Sequence, residues 1–148
     1  MKFVIQRVLS SSVDIEGNKV AEIGKGFMVL VGVCEEDDEQ TADKMLRKLC
    51  TMRIFEDEAG KTNLALADVG GSLLLVPQFT LYADCKKGNR PSFTKAGNPE
   101  HASALFDYIV SEARKSVSDV KAGVFGAYMK ISLINDGPFT IVLNSAEL

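Results

Sequence analysis

What this chain of 148 residues has little of narrows its chemistry before any motif is considered. It holds one histidine, His101, no tryptophan and three cysteines. Nucleophilic relays and zinc sites generally draw on imidazole, and His101 falls in the first turn of a helical pattern, where it reads as a surface residue rather than a base. Neither Ser-His-Asp chemistry nor a metal site is expected, and no cofactor is implied. There is no P-loop, no G-x-G-x-x-G and no H-E-x-x-H. Cys34, Cys50 and Cys85 are odd in number and form no C-x-x-C pair, so they read as reduced, inert thiols of a cytoplasmic protein. No segment approaches the roughly 18–20 uncharged apolar residues of a bilayer span. The opening "MKFVIQRVLSSSVDIEG" reads as a first strand rather than a signal peptide. An excess of positive charge is also missing: 17 Lys and Arg against 20 Asp and Glu leave a net −3. That balance argues against a protein that holds long nucleic acid on a broad basic surface.

What is present suits one soluble domain over residues 1–148. The chain is 46% hydrophobic and 25% charged, and its length is enough to bury roughly 68–70% of its unfolded surface without disulfides. Residues 3–9 predict a strand, and Val13–Ile15, Glu16-Gly17-Asn18 and Val20–Ile23 a hairpin. The uninterrupted apolar run from Gly26 to Val33 predicts a central strand buried on both faces. The acidic run Glu35–Glu39 leads into a helix carrying Ala42, Met45, Leu46 and Leu49 at helical spacing, so these acids read as a helix start rather than a metal site. Arg53–Phe55 is extended and "EDEAGK" a turn. Residues 72–83 look β-like, with Pro77 marking a bulge or an edge. Asn98 and Pro99 open a second helix with Ala102, Leu105, Phe106, Ile109 and Ala113 on its apolar stripe. Val124–Asn135 and Phe139–Asn144 predict two strands joined through "NDGPFT". The class is mixed α/β and β-rich: largely antiparallel sheets or a partial barrel with two covering helices, rather than a βαβ alternation.

Two segments combine backbone irregularity with a shortage of acids and bases. Pro77-Gln78-Phe79-Thr80 offers an amide, a hydroxyl and freed N–H groups, suited to an oxyanion or a substrate carbonyl. Gly137-Pro138 offers main chain without bulk, so a ligand can approach closely. Each is also compatible with a purely structural bulge or turn. The loop "CKKGNRPSFTK" gathers Lys86, Lys87, Arg90 and Lys95 around Phe93 and is either a local basic site or a solvated loop.

Taken together, "QRV" at Gln6–Val8, "PQFTLYAD" at Pro77–Asp84, "KKGNRPSF" at Lys86–Phe93, "FGAYM" at Phe125–Met129 and "NDGPFT" at Asn135–Thr140 resemble, in order and spacing, the D-aminoacyl-tRNA deacylase family. The resemblance spans the chain. It implies that family's fold and a homodimeric cytoplasmic esterase that removes D-amino acids, and glycine mischarged on tRNA(Ala), from the tRNA 3′ end, with no DNA or membrane partner. It implies that Gln78, Phe79 and Thr80 line the catalytic pocket and that Gly137 and Pro138 enter it from the partner subunit through a cis peptide bond. There they act as a chirality gate supported by Arg7. It further implies that Phe125, Gly126 and Met129 shape the adenine site, though Met129 serves equally as core, while Lys86, Lys87 and Arg90 meet phosphates. The family's usual serine is replaced here by Pro77, a feature of a related group with relaxed chirality. Two alternatives stay open: such an L-active deacylase, and a non-enzymatic nucleic-acid-binding module.

Overall fold

The computed structural model describes residues 1–148. Its frame is one long strand, β1 (Lys2–Ile15). One edge of β1 pairs antiparallel with β3 (Gly26–Gly32) through Lys2–Val8 and with β2 (Asn18–Ile23) through Ser11–Ile15; the other edge carries β8 (Lys130–Asn144) from Lys2 to Asp14. The alternation of buried residues in β1 slips where Arg7 and Val8 are buried in succession. Phe3 and Ile5 therefore enter one core cluster while Val8 and Val13 enter another, and β1 bends around both.

The predicted two-sided burial of Gly26–Val33 is observed. Phe27, Val29 and Val31 pack beneath the helices, while Met28 faces the second cluster. Beyond β3 lie β6 (Ser72–Pro77) and β7 (Val120–Ala122), each parallel to its neighbour. The helix α1 (Glu39–Thr51) intervenes between β3 and β6, and α2 (Pro99–Ser116) between β6 and β7. A short hairpin, β4 (Phe55–Glu56) and β5 (Thr62–Leu64), stands apart. Half of the main sheet thus consists of β-α-β crossovers, which the sequence reading did not anticipate; the three residues of β7 are too few to show a strand period.

Both helices begin as their sequences indicate. The Asp38 side chain accepts from the Thr41 N–H at 2.8 Å, and the Asn98 side chain accepts from the His101 N–H at 2.9 Å ahead of Pro99. A neighbour of the first cap, buried Asp37, pairs with the Met1 amino group and accepts from the Cys34 N–H at 2.8 Å. Ala42, Met45, Leu46 and Leu49 of α1, with Leu105, Phe106 and Ile109 of α2, cover the same sheet face. On the other face the second cluster is enclosed by the curl of β1, β2 and the start of β8, a nearly closed barrel. No helix is long and apolar enough to cross a membrane.

Two expected strands are corrected. Residues 72–83 do not form one strand. Pro77 is the last ladder residue, opposite Val31; after it the Gln78 N–H donates to Val31 O at 2.7 Å and Phe79–Tyr82 wind into a 3-10 turn. "NDGPFT" does not turn one strand back on another either. β8 begins at Lys130 rather than Val124 and continues in one direction on both sides of the motif. Gln6 pairs with Thr140 and Val8 with Asn135, so Asp136–Phe139 stand opposite Arg7 alone and are expelled from the ladder as a large bulge.

The β3–β6 seam depends on Gly26. A Cβ built there would lie 2.0 Å from Ser72 O, at φ +159°. Gly26→Ala is expected to destabilise by on the order of 3 kcal/mol through this backbone clash, against about 1 kcal/mol for losing the α2 cap in Asn98→Ala. Urea denaturation of the two variants checks the ranking.

Candidate active site

The C-terminal ends of the parallel strands β6 and β7 open side by side, the position where parallel sheets commonly leave a crevice. From β6 the chain runs into Gln78–Thr80; from β7 it runs through Gly123–Met129 before β8. Between these exits lies a cavity of about 290 Å3, lined chiefly by Pro77, Gln78, Phe79, Phe125, Gly126 and Met129, with Tyr128 at its wall. Local geometry explains the second wall. Gly126 has φ +76°, which permits the turn that carries the chain toward β8. The Met129 sulfur accepts from the Val124 N–H at 3.4 Å and lies where a Gly123 Cβ would stand, 2.7 Å away. Met129 also packs on the second core cluster, so it is core and pocket at once.

On the first wall, Gln78 Nε2 donates to Thr80 Oγ1 at 2.5 Å. The opening N–H groups of the turn, those of Phe79 and Thr80, have no acceptor within it, as at any helix start. The half-exposed Phe79 ring meets the edge of Phe93 at 5.2 Å between centroids. Apart from Tyr128, no ionisable side chain lines the cavity. Tyr82, at the end of the turn, is pushed well above the usual phenol range by burial and by its hydrogen bond with Cys34. Burial likewise raises the Cys34 thiol. Neither is an activated nucleophile. His101 lies on another face, beside Asp38 and Tyr108. The cavity can orient a carbonyl and supply donors to it; it holds no side chain placed to take a proton from water.

The bulge of β8 is built elsewhere. Arg7 is 5% exposed, and its guanidinium donates from Nε to Asp136 O at 2.9 Å and from Nη1 to Ile54 O at 2.7 Å, with the Phe139 ring centred 4.6 Å away. The Asp136 carboxylate lies 3.5 Å from Nε. Beneath the bulge, Asn135 Oδ1 accepts from the Phe139 N–H at 2.6 Å, while Gln6 Oε1 accepts from the Asn135 amide and, at 3.1 Å, from Thr140 Oγ1. The Gly137-Pro138 peptide bond is cis. Both residues are exposed and stand outside this chain's own cavity. Of the residues singled out by sequence, the structure therefore gathers Gln78, Phe79, Phe125, Gly126 and Met129 in one cavity, with Thr80 bonded to Gln78. It groups Arg7 with Gly137 and Pro138 in a second assembly. Lys86, Lys87 and Arg90 are exposed and make no ion pair, whereas Lys95 pairs with Asp84 at 2.9 Å. Sequence reasoning did not single out Gln6, Asn135, Phe139 or Tyr128 for these roles; all four lie within the quoted motifs, which was the available signal.

Fold and cavity together define a class: a small barrel-like α/β domain with a largely apolar pocket, carrying one amide side chain and no carboxylate or imidazole, at the ends of two parallel strands. Comparison with known proteins makes the class specific. The model of the D-Tyr-tRNA(Tyr) deacylase family matches residues 4–144, and the chain belongs to that family. It is 51% identical to a D-aminoacyl-tRNA deacylase of Thermomicrobium roseum over 148 residues, covering 100% of this chain and 96% of that one. It is also 51% identical to the same-named protein of Stutzerimonas stutzeri, covering 98% and 100%. Among solved structures, a c-Myc DNA unwinding element binding protein superposes with a TM-score of 0.92 at 39% identity, covering 97% of this chain and 98% of that one. A probable eukaryotic D-amino acid tRNA deacylase, at TM-score 0.85 and 17% identity over 96% and 97% of the two chains, shares the fold.

Arg7 joins two carbonyls that a lysine ammonium cannot span with the same planar fork. Arg7→Lys is expected to destabilise by about 1–3 kcal/mol and to speed hydrogen exchange at the Phe139 amide, read by denaturant melts and exchange mass spectrometry. Unchanged exchange at Phe139 counts against the bracing role.

Proposed function

We infer that the protein hydrolyses the ester of D-aminoacyl-tRNA, releasing the D-amino acid and tRNA, and acts likewise on glycine mischarged on tRNA(Ala). The observation that carries this reading is the chemistry of the cavity: donors for a carbonyl, apolar surface for a base, and no side-chain base. Such a site suits an ester whose own RNA supplies a hydroxyl beside the reacting carbon. The 3′-terminal adenosine lies against Phe125, Gly126 and Met129, where flat or thioether surface accepts a base, and the ester carbonyl faces Gln78–Thr80. Water attacks that carbonyl with help from the 2′-hydroxyl. The N–H groups of Phe79 and Thr80 take the developing oxyanion, and the 3′-oxygen leaves with a proton. Orientation and preorganised donors account for the acceleration. Thr80 serves in positioning.

Selection by handedness is assigned to Gly137 and Pro138 of a second copy. In this chain they are exposed and do not line the cavity, and the apolar residues Leu9, Ile134 and Val142 of the β1–β8 surface are more than half exposed. A homodimer that covers this surface and passes each bulge into the other cavity uses both assemblies. The bulge carbonyls then hold the substrate amino group and leave no room for an L side chain. Lys86, Lys87 and Arg90 meet acceptor-stem phosphates, and the protein acts in the cytoplasm. The DNA-binding name of one structural neighbour favours a second reading, a non-enzymatic nucleic-acid module. The net charge of −3, with three unpaired cations on a single loop, weighs against it.

Incubation with D-tyrosyl-tRNA and L-tyrosyl-tRNA tests the proposal: rapid loss of the D ester alone is expected. No hydrolysis of either sinks it, and loss of both moves it to a deacylase of relaxed chirality. A Gly137 Cβ would lie 2.9 Å from Phe139 N at φ +144°, so Gly137→Ala is expected to abolish activity. Thr80→Ala keeps a substantial part, and His101→Gln stays within about twofold of wild type because the half-buried His101 imidazole lies on another face from the cavity, out of reach of the reacting ester. Single-turnover deacylation rates measure all three.

A further inference from the structure

The active-site cavity has a neighbour. Tyr128, 83% exposed and the most exposed of the large apolar side chains, forms part of its wall and also of the wall of a second cavity of about 460 Å3. The rest of that second wall comes from Ala127, the β1–β2 turn with its flank and the start of β8, and its polar side chains are Asp14, Glu16 and Lys130. Asp14 stands opposite Lys130 in the β1–β8 ladder, yet neither they nor Glu16 are engaged in an ion pair. The turn is a two-residue loop between paired Ile15 and Asn18, with φ +51° at Glu16 and +81° at Gly17. Asn, Asp or Gly is usual at both central positions of such a loop, so a glutamate held there is a local departure of the kind that clusters at ligand sites.

We propose that this second cavity is a subsite for a nucleobase bearing an exocyclic amino group, namely the cytosine that precedes the terminal adenosine in the unpaired C-C-A end of tRNA. The inference rests on the deacylase reading for its direction. With the ester at Gln78–Thr80 and the adenine at Phe125–Met129, the preceding nucleotide leaves the first cavity on the Tyr128 side. Its ring stacks on Tyr128, since an exposed aromatic face is worth most to an unstacked base. Its amino group donates to the carboxylate of Asp14 or Glu16, the partner that acidic side chains make with cytosine. Lys130 is the cation available to the linking phosphate. Uracil, which carries an acceptor where cytosine carries that donor, is disfavoured there.

The test measures binding of 5′-labelled RNA tetranucleotides ACCA and ACUA by fluorescence anisotropy, alongside AMP by competition. Wild type is expected to bind ACCA about fivefold more tightly than ACUA. Tyr128→Ala weakens ACCA on the order of tenfold, several-fold more than it weakens AMP; Tyr128→Phe keeps wild-type affinity for ACCA; and Asp14→Asn with Glu16→Gln erases the preference for cytosine. Equal wild-type affinity for the two tetranucleotides overturns the proposal. So does an equal loss of AMP binding in Tyr128→Ala, which puts the ring in the first cavity, or a changed molecular mass of that variant, which makes the ring a subunit contact. If wild type hydrolyses no D-aminoacyl-tRNA but keeps the cytosine preference, the deacylase reading fails and the subsite stands.

Discussion

The buried guanidinium of Arg7 is the contact on which the rest of the molecule turns. A charged group at 5% exposure needs hydrogen-bonded partners, and Arg7 finds them in two main-chain carbonyls from distant segments, Ile54 ahead of β4 and Asp136 in β8. It lies opposite the four residues that β8 expels from the ladder and next to the position where the burial of β1 changes face. One side chain therefore ties the bend of the longest strand to the shape of the bulge. Gln6 and Asn135 close that bulge at its base, so Gly137 and Pro138 are presented on a braced loop rather than a free one.

The cavity depends on a different device, the place where parallel strands end. Pro77 cannot continue a ladder as a donor, and the chain leaves β6 directly into a 3-10 turn whose leading N–H groups are free of the sheet. The exit of β7 supplies the facing wall. An antiparallel hairpin at the same place would have consumed those N–H groups in pairing. The crossovers through α1 and α2 are thus a precondition of the site, whose lining holds no imidazole or carboxylate.

Much of this was readable before any coordinate. Apolar periodicity located both helices, with the acidic run Glu35–Glu39 before the first and Asn98 at the start of the second, and the unbroken run Gly26–Val33 announced a strand covered on both faces. The five motifs located the family, and with it Gln78, Phe79, Phe125, Gly126 and Met129, which share one cavity. What failed was local reading of proline. Pro77 suggested an interrupted strand when it terminates one, and Asn-Asp-Gly-Pro suggested a turn between two strands when it interrupts a single strand that resumes. Sequence patterns record the propensity of a few neighbours, and a bulge is defined by the partner strand opposite it. Tyr128 was passed over because an exposed aromatic gains meaning from the two cavities it separates, which no period encodes.

By itself the sequence determined the periods, the helix starts, the scarcity of imidazole and the order of the motifs, all properties of residues close along the chain. Only the tertiary structure decided that Arg7 and Asp136, 129 positions apart, meet under a bulge, that β6 and β7 run parallel and open a cavity together, and that Gly137-Pro138 stands outside the pocket of its own chain. Those outcomes depend on strand partners and on which carbonyls a buried cation can reach, and both are settled when remote segments pack.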